Sequence, residues 1–100
     1  MSSKLKAVRA GHRSVLTRFL KKGDPTVNPN QTVAEFRSVM EVIKSKQRTL
    51  SELNEQILDV TEETDVEGEI DEASVYKLEI QIGIAKIQEH IQEVNQSTNQ

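Results

Sequence analysis

Two histidines, a nearby serine and a run of carboxylates are the residues whose types could do chemistry. His12 and His90 are the only histidines of the chain, and a general base or a metal ligand would be sought there first. Ser14 follows His12 by two positions, and residues two apart on a helix do not face each other, so this histidine cannot activate that serine. Because no catalytic set can be assembled, the sequence predicts that the chain is not an enzyme.

Carboxylates are concentrated between residues 62 and 72, where a calcium loop is the functional interpretation to test. The segment lacks the Asp-x-Asp-x-Asp-Gly order that places oxygen ligands around Ca²⁺. The chain has no cysteine, and neither a zinc motif nor a phosphate-binding glycine loop occurs. We therefore expect no metal, no cofactor and no small-molecule substrate, with the acidic run forming a solvated turn.

The composition indicates long helices. Aromatic residues make up 3% of the 100 residues, whereas 29% are charged and 35% are hydrophobic. A compact domain of this size usually buries several large aromatic rings. A long helix instead buries one narrow apolar stripe and leaves its other faces to solvent. The composition therefore favours a single all-α domain.

Apolar residues recur at alternating spacings of three and four, as in helices that pack side by side. In the middle segment these positions are Phe36, Val39, Ile43, Lys46, Leu50, Leu53, Ile57 and Val60. In the last segment they are Ile70, Ala73, Lys77, Ile80, Ile84, Ile87, Ile91 and Val94. In the first segment they are Leu5, Val8, His12, Val15 and Phe19, with Leu16 and Leu20 widening the stripe.

The first break between these segments has clear local signals. Gly23 followed by Pro25 is a common end of a helix. Pro29 favours an extended linker, and Thr32 with Glu35 has the spacing of a capping box that would begin the second helix.

The second break is the acidic stretch, where Thr64 and Glu67 again have capping-box spacing. We therefore predict an all-α, three-helix arrangement, with a long antiparallel, coiled-coil-like hairpin and a shorter, basic N-terminal helix. The predicted helices cover about 3–22, 32–62 and 66–95 in a single domain over 1–95, followed by a disordered tail over 96–100.

The last segment carries a second apolar stripe, formed by Val75, Leu78, Ile82 and Ala85. A helix with two apolar faces expects two neighbours. One is the second helix, and the other is either the first helix or another chain. The stripe is therefore the predicted protein-interaction site. A first helix antiparallel to the second is expected to lie beside the far end of the third, away from the acidic turn.

Charge is strongly segregated along the chain. Residues 1–23 hold seven basic side chains and no acid, whereas residues 52–79 hold eleven acids against one base, Lys77. The basic helix is the candidate nucleic-acid contact, through Arg9, Arg13, Arg18 and Lys21. No aromatic residues alternate with these bases, so any such contact is expected to be non-specific.

The order of these features resembles the gag-like helical domain, of unknown function, in invertebrate Pao/BEL-type LTR retrotransposon polyproteins. The resemblance is carried by a basic opening helix at residues 6–20 (KAVRAGHRSVLTRFL), a long helix containing TVAEFR at 32–37 and LSELNEQIL at 50–58, and the acidic lead-in IDEASVY at 70–76. It covers about residues 4–94. It implies a structural role in a polyprotein or its particle and transfers no catalytic residue.

Together these features predict a non-enzymatic structural or interaction module that self-associates or binds partner proteins. The alternatives are a nucleic-acid-binding helical module that uses the basic helix, and a cellular coiled-coil tether or adaptor. No apolar run approaches the roughly 20 residues that span a bilayer, so we expect an intracellular, cytoplasmic protein. The heptads leave open the oligomeric state, the partner and whether the chain is part of a polyprotein.

Overall fold

The computed structural model describes residues 2–98 and contains three α-helices. α1 spans Ser2–Lys22, α2 spans Val33–Asp59 and α3 spans Val66–Thr98, with a short 3-10 helix at Glu63–Asp65 just before α3. None of the residues 2–98 forms a strand, so the all-α prediction is confirmed. The molecule is a rod with principal dimensions of 57 × 20 × 18 Å. Within the described part of the chain, no helix is apolar over a length that would cross a bilayer.

α1 runs antiparallel to α2 and parallel to α3. Arg9, near the start of α1, contacts Asn54 near the end of α2 and Glu69 near the start of α3. Gly23, just after α1, lies beside Val39 near the start of α2 and Ile87 in the second half of α3. The expectation that α1 lies away from the acidic turn is therefore wrong. Because the break after α2 is short, α3 begins beside the end of α2. A helix that runs antiparallel to α2 begins at the same end, so α1 and α3 begin side by side.

The core lies along the inner faces of the three helices, and α2 supplies most of it. Six of its eight predicted positions are buried, whereas Lys46 is half-buried and Val60 is exposed. In α3 the buried positions are Ile80, Ile87 and Ile91, so about the first four turns of the helix contribute no buried residue before Ile80. The main apolar pattern of the last segment, which begins at Ile70, is uncovered at its start, where Ile70 is 49% exposed.

The inward stripe of α1 differs from the predicted one. Leu16 is fully buried and Arg9 is 95% buried, whereas Val8 is 40% exposed. The positions that face the other helices are Leu5, Arg9, His12, Leu16 and Phe19, which also alternate spacings of four and three. Apolar periodicity favours valine over arginine, and it therefore predicts Val8 and Val15 at inward positions of α1.

The linker between α1 and α2 folds into hydrogen-bonded turns, so the expected extended linker is wrong. The Asp24 carboxylate accepts hydrogen bonds from the backbone N–H and the hydroxyl of Thr26, at 2.9 and 2.7 Å. These bonds lower the pKa of Asp24. Gly23 has no positive φ; it is buried, and a Cβ there would lie 2.6 Å from Cδ1 of Ile87. Close packing against α3, and not a left-handed turn, requires this glycine.

Thr32 is the N-cap of α2, as the predicted capping box requires, and Glu35 reaches back to its hydroxyl. The Thr32 hydroxyl accepts a hydrogen bond from the Glu35 backbone N–H at 3.1 Å and donates to the Glu35 carboxylate at 3.2 Å. Thr64 instead lies inside the 3-10 helix and does not begin α3. α2 ends at Asp59, before the predicted boundary at 62.

α3 runs to Thr98 and therefore includes positions 96–98, which were predicted to be a disordered tail. Met1 and the tail positions 99 and 100 lie outside the described residues.

Candidate interaction surfaces

The second apolar stripe of α3 is exposed. We call Val75, Leu78, Ile82 and Ala85 the α3 stripe. Val75, Leu78 and Ile82 are 55%, 56% and 49% exposed, and Ala85 is also exposed. At about 100° per residue, these positions point away from the buried side of the helix that carries Ile80. The stripe is therefore covered by neither α1 nor α2.

α1 packs against a different face of α3, which explains why the stripe stays open. The hydroxyl of Tyr76 donates a hydrogen bond to the backbone carbonyl of Arg13 at 3.1 Å. Farther along the same face, a Cβ built on Gly83 would overlap the side chain of Leu20. The absence of a side chain at Gly83 thus lets the two helices approach closely, away from the stripe.

Acidic residues continue the spacing of the stripe at both of its ends. Asp71 precedes Val75 by four positions, and Glu89 follows Ala85 by four. Both acids are exposed. We call Asp71 and Glu89 the end acids. The surface is therefore an apolar strip about three helical turns long, closed at each end by a negative charge.

A buried polar cluster joins all three helices at the acidic end of the rod. The Arg9 guanidinium donates from Nη1 to Oδ1 of Asn54 at 2.9 Å and to Oε2 of Glu69 at 3.0 Å. Lys6 pairs with the other oxygen of Glu69 at 3.1 Å. The hydrogen bond from Arg9 is the main cause of a lowered pKa at Glu69, and Lys6 adds to it against the opposing effect of burial. This cluster fixes the position of α1.

Arg13 makes a second link one turn later in α1. Its Nη1 lies 2.5 Å from Oε1 of Glu72, and its guanidinium lies 4.6 Å from the centroid of the Tyr76 ring. Arginine commonly stacks on aromatic rings in this way, because the face of the ring carries partial negative charge. Arg13 is therefore engaged with α3.

The structure divides the four predicted nucleic-acid residues into two pairs. Arg9 and Arg13 point inward and are paired with acids of α3, whereas Arg18 and Lys21 are exposed. Sequence reasoning missed the structural role of the first pair. The available signal was Arg9 itself, which stands four residues after Leu5 and seven before Leu16 and therefore on the inward stripe.

Each histidine contacts a side chain of α2. Nδ1 of His12 lies 3.1 Å from Nζ of Lys46 on α2. The His90 ring packs edge-on against Phe36, with ring centroids 4.8 Å apart and an interplanar angle of 64°. Within residues 2–98, no three His, Cys, Asp or Glu side chains are grouped so that they would hold a metal ion.

A groove of about 440 Å³ separates the end of α2 from the start of α3. Leu58, Asn54 and Ile70 contribute to its walls. Lys77, a predicted inward position of α3, is exposed and also lines this groove.

The fold and these surfaces define a three-helix bundle with an uncovered, acid-flanked apolar stripe on its third helix. Comparison with known proteins finds no matching family model, no similar curated protein and no similar solved structure. The function is therefore inferred from the surfaces themselves.

Proposed function

We propose that the chain is a non-enzymatic structural module that self-associates through the α3 stripe. The resemblance to gag-like segments implies the structural role, and the stripe is the reason to expect self-association. The observation that carries the proposal is the exposure of Val75, Leu78 and Ile82, each about half accessible on a helix whose opposite side is in the core. Large apolar side chains grouped in one surface strip are typical of interaction sites.

The apolar area predicts a weak contact. Full burial of a valine, leucine or isoleucine side chain contributes about 1.5–3 kcal/mol. Because these three are already half-buried, a partner would gain about 1 kcal/mol from each. A gain of this size does not hold a tight dimer against the cost of association. It suits a module whose contacts are repeated many times in an assembly.

Sedimentation velocity from about 10 μM to about 1 mM tests the proposal, since weak contacts become populated in this range. The expected result is a sedimentation coefficient that rises with concentration. The double variant Leu78→Glu/Ile82→Glu should remain monomeric, because charge in the stripe opposes burial. The matched control is Ser45→Glu/Gln56→Glu, which adds the same charge to exposed positions of α2, outside the stripe and its end acids, and should associate like the unmodified chain. A monomeric unmodified chain at the highest concentration would overturn the proposal.

Nucleic-acid binding is less well supported than self-association. Of its four predicted contacts, Arg9 and Arg13 are occupied by Glu69 and Glu72. Arg18 and Lys21 stay accessible on the same helix. Retention of RNA on a filter at low salt, compared between the unmodified chain and Arg18→Gln/Lys21→Gln, would give this alternative support if the double variant alone lost the RNA.

A further inference from the structure

We infer that the α3 stripe is covered by the outer face of α1 from a second copy of this chain, so that copies join head to tail. This inference rests on the proposed self-association and specifies its geometry. The reasons are the spacing, the side-chain sizes and the charges of the two surfaces.

The outer face of α1 has the same periodicity as the α3 stripe. Exposed residues alternate spacings of three and four along it: Lys4, Ala7, Gly11, Ser14, Arg18 and Lys21. We call these six the α1 outer face. The middle of this face is small, and a Cβ added to Gly11 would meet nothing within 4 Å. The middle of the α3 stripe instead carries the large side chains of Leu78 and Ile82. These side chains would pack against the small residues of the α1 outer face.

The two faces also match in length and in the signs of their end charges. Lys4 to Lys21 and Asp71 to Glu89 each extend about 26 Å along a helix, at about 1.5 Å per residue. With the helices parallel, Lys4 lies opposite Asp71 and Lys21 opposite Glu89. With the helices antiparallel, the two pairs exchange partners. In either direction, each end acid therefore meets a base.

These end charges are available for a partner. In the part of the chain that the structure describes, ion pairs join Lys6, Arg9 and Arg13 to Glu69 and Glu72. The end acids and the bases of the α1 outer face take no part in these pairs and are exposed. Pairing across an interface therefore breaks none of the contacts that hold α1 in place.

Contact between two identical stripes is less favourable. Two α3 stripes packed antiparallel would place Asp71 of one copy opposite Glu89 of the other at both ends. Two stripes packed parallel would place each end acid opposite the same acid of the other copy. Two α1 outer faces would place bases opposite bases. Like charges across an interface disfavour association and direct the choice of partner. Of the three pairings, only α1 with α3 is complementary.

This pairing uses two different surfaces on each molecule. Each copy therefore offers a free α3 stripe to the next copy after its own α1 outer face is occupied. Such a heterologous contact continues into a ring or an open chain, whereas contact between identical surfaces stops at a dimer.

A mixing experiment separates these geometries. The stripe variant is Leu78→Glu/Ile82→Glu, and the face variant is Ala7→Glu/Ser14→Glu. All four substitutions are at exposed positions, and helical circular dichroism with urea unfolding checks that both variants remain folded. Each variant alone should be monomeric. Their equimolar mixture should form a one-to-one dimer and nothing larger, since one copy supplies an intact α1 outer face and the other an intact α3 stripe.

The outcomes distinguish this inference from the proposed function. If the unmodified chain associates and the face variant still self-associates as strongly, the stripe pairs with another surface, and the head-to-tail inference is overturned while self-association stands. If the unmodified chain is monomeric throughout, both fail. A mixture that contains only monomers, although the unmodified chain associates, also overturns the head-to-tail geometry.

A charge exchange provides an independent test that leaves the apolar stripe intact. The variant Asp71→Lys/Glu89→Lys should associate about tenfold more weakly than the unmodified chain, because its new bases face Lys4 and Lys21. Mixing it with Lys4→Glu/Lys21→Glu should restore the affinity. Self-association of the unmodified chain should also become weaker as the salt concentration rises from about 50 mM to about 500 mM. Failure of the mixture to regain affinity would contradict the assigned pairing.

Discussion

Nη1 of Arg9 lies 3.0 Å from Oε2 of Glu69 and 2.9 Å from Oδ1 of Asn54, so one guanidinium joins the first helix to both others. Its side chain is 6% exposed and that of Glu69 is 10% exposed. Charges at this depth lose most of their hydration, which the ion pair and hydrogen bonds must replace. The main effect of the cluster is therefore to fix the position of α1 against α2 and α3, and its net contribution to the free energy of unfolding is small.

Replacing Arg9 with methionine should lower the free energy of unfolding by about 2 kcal/mol, because Glu69 and Asn54 lose a charged hydrogen-bond donor while they remain largely covered. Urea unfolding followed by circular dichroism measures the change. Arg18→Met is the matched control at an exposed position of the same helix and should change stability by less than about 0.5 kcal/mol. Equal losses in the two variants would show that the cluster has no special role.

Acid should destabilise the fold partly through Glu69, whose pKa is lowered below the ordinary value of 4.5 chiefly by the hydrogen bond from Arg9. A carboxyl group with a depressed pKa contributes stability that is present above its unfolded-state pKa and is lost as the pH falls through the folded value. The free energy of unfolding should therefore decrease below about pH 4.5.

In Glu69→Gln the decrease should be smaller, because this group no longer titrates. Asp24, whose pKa is also lowered, contributes in the same direction in both proteins, so the difference between them reports Glu69. Urea unfolding at about pH 7 and about pH 3.5 measures it. An unchanged acid sensitivity in Glu69→Gln would contradict the assignment.

Two glycines should respond to alanine in opposite directions. Gly11 is exposed within α1, and a Cβ there meets nothing within 4 Å. Gly11→Ala should raise the free energy of unfolding by about 0.5–1 kcal/mol through helix propensity. At Gly23 the new Cβ would lie 2.6 Å from Ile87 and 3.1 Å from Val39. Gly23→Ala should therefore lower stability by about 1–3 kcal/mol through overpacking. Urea unfolding at low protein concentration keeps self-association out of both measurements.

The three helices and the α2 stripe were predictable because a long periodic pattern and local capping chemistry agree. Thr32 and Glu35 begin α2 as their spacing predicts. The exposed α3 stripe was also visible as a second period, but whether α1 covers it depends on tertiary packing. α1 instead packs on the face of α3 that carries Tyr76 and Gly83, and its partners there, Arg13 and Leu20, are about 60 residues away in sequence.

The polar cluster was not predictable from hydrophobic periodicity, since that measure treats an arginine as a surface residue. Arg9 occupies an inward position only because Glu69 and Asn54 supply acceptors for it. The partners come from two other helices, and single-sequence patterns do not show which distant residues meet. A register that includes Arg9 predicts Leu16 in the core and Val15 at its edge, which differs from the simpler apolar count.

This difference in register gives a direct test on neighbouring residues of α1. Leu16 is 0% exposed, whereas Val15 is only partly buried. Leu16→Ala should lower the free energy of unfolding by about 2–4 kcal/mol, because it removes apolar contacts and leaves a cavity among α1, α2 and α3. Val15→Ala should cost about 1 kcal/mol or less, since solvent already reaches that side chain. Urea unfolding of the two variants under identical conditions measures the contrast. A larger loss for Val15→Ala than for Leu16→Ala would mean that α1 packs with Val8 and Val15 inward, and it would also remove the basis for the buried position of Arg9.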